Sequence, residues 1–65
     1  MDIKEIRELA GLTQAGLAEK YGIPIGTIRH WEAGERKPPE YVLKLLERCE
    51  RLERMLYMDK DHGEE

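Results

Sequence analysis

The sequence predicts an all-α domain, a small bundle of about four helices. Apolar residues recur at spacings of three and four in successive segments, and glycine or proline separates those segments. No stretch alternates apolar and polar residues as a half-buried strand would. A chain of 65 residues, 40% hydrophobic and 38% charged, suffices for one domain with one small core and a solvated outer surface.

Ile3, Ile6, Leu9 and Ala10 fall on one face of a first helix, from about Asp2 to Ala10. Asp2 can cap its start and Gly11 can end it in a left-handed conformation. Thr13 is a suitable N-cap for a second helix, whose inner face carries Leu17, Ala18 and Tyr21 and which Gly22 stops. Pro24 disfavours helical geometry at Ile23, yet its own φ suits the first turn of a third helix, from Pro24 to about Ala33, ended by Gly34. The stretch "ERKPPE" reads as a basic, proline-stopped loop, after which Pro39 or Glu40 opens a last helix running to about Met58. The expected organisation is therefore a domain over residues 1–58, with its long helix at about 39–58, followed by a disordered acidic tail at 59–65.

The net charge of −3 belongs to that tail. Residues 1–58 hold ten acidic and ten basic side chains, whereas "DKDHGEE" holds four acids and one lysine. A nucleic-acid partner is thus not excluded by charge, although strong non-specific attraction is not expected. Catalysis is not expected, because no nucleophile, base and orienting group stand at usable spacing. One cysteine and no closely spaced histidines offer neither a disulfide nor a metal site, and no cofactor is implied. The charged N-terminus lacks a secretory apolar run and no segment approaches a membrane span, so a cytoplasmic setting is expected.

Two helices joined by a tight glycine turn form a helix-turn-helix unit. The stretch "LTQAGLAEKYGIPIGTIRHWEAGERKP" resembles the Cro/C1-type, or Xre-like, helix-turn-helix family of DNA-binding repressors, over roughly Ile6 to Pro38. Gln14 opens the second helix, Leu17 and Ala18 take the positions where the helices cross, and Gly22 takes the turn. Ile23, Ile28 and Trp31 take core-facing positions. The resemblance implies a lambda-repressor-like bundle whose third helix lies in the DNA major groove.

It also implies an ion pair between Arg7 and Glu32 beneath that helix. Gln14 would hold a backbone phosphate, and Arg36 and Lys37 would anchor the following loop to phosphates. Base-facing positions correspond to Ile25, Gly26 and His30, with Thr27 and Arg29 beside them. Ile25 and Gly26 depart from the usual polar pattern. Ile25 offers apolar contact, such as a thymine methyl, or is a core residue displaced by one position; Gly26 reads nothing but permits close approach.

In the last helix, Val42, Leu45, Cys49, Leu52 and Leu56 are spaced three, four, three and four, a heptad stripe widened by Leu43, Leu46 and Met55. From about Glu47 onward the helix is expected to project beyond the core. Cys49, Leu52, Met55 and Leu56 would then form a homodimer interface, parallel with Arg48 facing Glu53 of the other chain, or antiparallel. The sequence reads as a homodimeric, sequence-specific repressor binding double-stranded DNA. A protein-interaction module on the same scaffold, such as an antitoxin or phage adaptor, is the alternative.

Overall fold

The computed structural model describes the backbone of residues 1–63 and the side chains of residues 1–57. Four helices follow in order: α1 (Ile3–Ala10), α2 (Gln14–Tyr21), α3 (Ile25–Ala33) and α4 (Glu40–Gly63). Their boundaries follow local chemistry. The Asp2 carboxylate accepts from the Glu5 amide at 2.8 Å while Glu5 accepts from the Asp2 amide at 2.9 Å, a reciprocal cap that satisfies two otherwise orphaned donors. Thr13 caps α2 by accepting from the Gly16 amide at 3.0 Å. Pro24 precedes α3 without a side-chain cap, and its carbonyl accepts from Thr27 and Ile28 instead.

The turn between α2 and α3 depends on Gly22, whose φ of 67° places it in the left-handed region, where a side chain would be strained. Ile23 then donates back to the Ala18 carbonyl at 3.0 Å, closing the end of α2 before the chain reverses.

The core is made by one or two residues from each helix. Ile3, Ile6, Leu17, Ile28 and Leu46 are buried, and Ile6, Leu17 and Ile28 are wholly so. Tyr21, Ile23, Trp31, Val42 and Leu43 pack around them, half-buried. α1 lies against both α3 and α4, and α2 against α3. The α2–turn–α3 unit is therefore braced by α1, and α4 is braced chiefly by the same helix.

Two expectations for α4 require correction. The helix runs to Gly63 rather than ending near residue 58, because no glycine or proline interrupts the sequence between Glu40 and His62. Of the segment 59–65, expected to be a disordered tail, residues 64 and 65 lie outside the described residues, as do the side chains from 58 onward. The helix is also rotated from the expected stripe: Leu46 is buried, and Val42 and Leu43 pack on the core, while Leu45 is 55% exposed. The tertiary contact with α1, which a heptad count cannot register, sets this rotation.

α4 does not leave the body at Glu47. Glu50 is only 4% exposed, and its Oε2 accepts from Lys20 Nζ at 2.7 Å and from the Tyr21 hydroxyl. Lys20 Nζ also donates to Glu53 at 2.7 Å. Glu53 thus has a cationic partner within its own chain. Burial pushes the Glu50 carboxyl up, but the Lys20 and Tyr21 donors outweigh it and hold it below its ordinary value. The Lys20 ammonium is raised by its bonds to Glu50 and Glu53, and the Tyr21 phenol by burial and by Glu50.

Candidate nucleic-acid interface

α3 is anchored from below by its inner residues. Ile28 is wholly buried, and Trp31, one turn on, packs against the core. Beside them Glu32 receives a two-pronged bond from Arg7: Nε to Oε2 at 2.7 Å and Nη2 to Oε1 at 3.1 Å. The guanidinium matches the carboxylate edge to edge, so the pair fixes the rotation of α3 against α1 as well as its position. Arg7 Nη1 also donates to the Leu12 carbonyl at 3.2 Å, tying in the loop before α2. The Arg7 bond, partly opposed by burial and aided by Gln14, holds the Glu32 carboxyl below its usual range.

The Gln14 side-chain amide donates to Glu32 Oε1 at 3.1 Å, using a lone pair of that carboxylate that Arg7 does not occupy. The α2 N-terminus therefore meets a third element of the same junction.

The opposite face of α3 is open. Gly26, Arg29 and His30 are exposed, at spacings of three and one, and Thr27 is half-buried at the margin. Ile25 is half-buried outside the core cluster, on a shallow apolar groove it shares with Ala15, Ala18, Ile23 and Pro24. It thus borders the outward strip of α3 from outside the core cluster. His30 Nδ1 pairs with the Glu35 carboxylate across the Gly34 turn, both side chains being more than half exposed. Arg36 and Lys37 are exposed in the loop that follows.

A surface of this shape has an outward strip of one glycine, one arginine and one histidine, a basic loop at one end, and a helix N-terminus at the other. Such a strip is suited to a groove edge lined with phosphates. The family model for helix-turn-helix proteins matches residues 3–49. The chain belongs to the Cro/C1-type helix-turn-helix family. That family is one of DNA-binding regulators, and its fold is the lambda-repressor-like helical bundle. No curated protein and no solved structure matches the chain. The family match stops at Cys49, which leaves the second half of α4 outside the shared pattern.

Sequence reasoning missed two features of this surface. Lys20 is turned away to Glu50 and Glu53, which leaves Arg29, Arg36 and Lys37 as the basic residues beside the outward strip of α3. Glu35, which no motif singles out, holds the imidazole of His30. A signal existed for the first: Glu50 stands three- and four-residue steps along from Leu43 and Leu46, a charged residue in an apolar register that calls for a buried partner. Among the described residues, no helix is long and apolar enough to cross a membrane.

Proposed function

We propose that this chain is a cytoplasmic, sequence-specific repressor of a bacterial, phage or mobile-element promoter, acting as a homodimer on an operator of two half-sites. The observation that carries this reading is the outward strip of α3, held at a fixed rotation by the Arg7–Glu32 pair beneath it. Arg29 suits bidentate recognition of a guanine edge. His30, paired with Glu35 through Nδ1, keeps Nε2 for a base edge. Gly26 permits close approach, Ile25 and Thr27 border the base contacts, and Arg36, Lys37 and the amides at the start of α2 bind phosphate.

Three cations per reading surface give modest affinity to a single protomer, so pairing of two protomers supplies the remainder. The exposed apolar face of α4, including Cys49, Leu52, Met55 and Leu56, is the surface assigned to that pairing. The same face is what favours the second reading, a module that binds another protein. Selection of bound duplexes from a random pool separates the two. Enrichment of a two-part sequence that disappears with Arg29→Ala and His30→Ala supports the repressor, and absence of any enrichment supports the interaction module.

A further inference from the structure

Resting on the reading that α3 meets DNA, we propose that Glu35 is a specificity-determining residue that acts through His30. It turns the imidazole toward a base edge, and it opposes the phosphate contacts that do not depend on sequence.

The close of α3 puts Glu35 where it can do both. Gly34 takes the left-handed region at a φ of 81°, and the Glu35 amide donates to the His30 carbonyl at 3.0 Å, with Arg36 donating to the same oxygen at 3.4 Å. This reversal is fixed by backbone bonds. It carries the Glu35 side chain back over the last turn of the helix, where its carboxylate pairs with His30 Nδ1. Both side chains are more than half exposed, so water screens the pair and it contributes little to folding. Its consequence lies in the imidazole instead. The torsion that turns a histidine ring is broad, and an exposed imidazole without a partner offers either nitrogen in several directions. With Nδ1 held by Glu35, the ring is oriented and Nε2 is the nitrogen left to meet a base.

Charge gives Glu35 its second effect. Residues 25–38 hold two carboxylates, Glu32 and Glu35. Glu32 is turned inward to Arg7 and Gln14, so Glu35 is the outward acid of that stretch, directly before Arg36 and Lys37. An anion beside two cations on a loop that approaches phosphate weakens binding to every duplex alike. Where the oriented imidazole finds its matching edge, the base contact offsets that loss. A residue that lowers all affinities and restores one of them widens the ratio between right and wrong sequences.

The test starts from a duplex enriched out of a random pool by the unaltered chain. Mobility shifts then compare binding of each variant to that duplex, to its single-base-pair changes and to a scrambled duplex. Glu35→Ala should bind the scrambled duplex about two- to fivefold more tightly at low salt. Its preference at one base pair per half-site should fall about five- to tenfold, with the preferences at other positions kept. Glu35→Gln retains an acceptor for Nδ1 without the charge, so it should keep that base preference yet bind the scrambled duplex as tightly as Glu35→Ala does. Thermal unfolding should place all three chains within a degree or two of one another. An unchanged base preference in Glu35→Ala overturns the role of Glu35 while leaving α3 as the reading helix. Preferences lost evenly at every position, or lost together with Tm, overturn it as well, because they mark a scaffold role. If the unaltered chain enriches no sequence, the DNA reading itself falls and the role of Glu35 falls with it.

Discussion

Replacing Glu50 by alanine tests whether the body of the domain grips α4 as the structure shows. The Tyr21 hydroxyl is half-buried and has Glu50 as its acceptor, so its loss costs about 1–3 kcal/mol. Lys20 loses one carboxylate but keeps Glu53, and with a third of its side chain exposed it recovers most of its hydration. The expected destabilisation is therefore about 2 kcal/mol, dominated by the Tyr21 hydroxyl. For a domain of this size that corresponds to a fall in Tm of roughly 8–16 °C. Glu53→Ala is the control: its carboxylate is 46% exposed, and its removal should cost less than about 1 kcal/mol. The folded Glu50 carboxyl titrates below its unfolded value, so its stabilisation is complete at neutral pH and is lost as pH falls through the lower, folded value. The gap in Tm between the natural chain and Glu50→Ala should accordingly narrow in acid, below the ordinary glutamate value of about 4.3. Thermal unfolding followed by circular dichroism at several pH values reads all three quantities. Equal, small losses for Glu50→Ala and Glu53→Ala would refute the reasoning, because they would mean that Glu50 is no more buried than its neighbour.

Other perturbations separate scaffold from reading face. Ile28→Ala removes a wholly buried side chain from the base of α3 and should cost about 2–5 kcal/mol in denaturant unfolding. Glu32→Ala leaves Arg7 and Gln14 without their shared acceptor, and should lower Tm by several degrees and weaken DNA binding together; an unchanged Tm would remove the pair from the scaffold. Arg29→Ala and His30→Ala should do the opposite, abolishing selective DNA binding in a mobility-shift assay while Tm stays within a degree or two. Lys20→Ala should leave the salt dependence of DNA binding unaltered, whereas Lys37→Ala should reduce its slope by about one per half-site.

How much of this was legible in the sequence depends on how far apart the cooperating residues lie. Asp2, Thr13, Gly11, Gly22 and Gly34 act within one turn of themselves, and their capping roles follow from residue type and position alone. The joining of Arg7 to Glu32 spans 25 residues, and only the family resemblance pointed to it. Nothing local marks Lys20 as turned from the outward strip of α3, because its partners lie 30 and 33 residues away on a helix whose rotation is set by α1. The same rotation explains why Leu46, not Leu45, enters the core. Periodicity established that α4 has an apolar face, but Leu43, Leu45 and Leu46 offered two such faces, and only packing chooses between them.

Gly26 is the one glycine within α3, and it lies on the exposed face of that helix. A methyl group added there would meet nothing within 4 Å, so alanine is accommodated without displacing any neighbour. Alanine at this position should raise stability by roughly 0.5–1 kcal/mol, because glycine is a poor helix former. The position is thus a blank in the lettering of the helix, kept open at a small cost in folding. On the proposed function, single-codon changes at it would alter operator preference while leaving the scaffold intact, so this surface could be retargeted, by evolution or by an engineer, at little cost to folding.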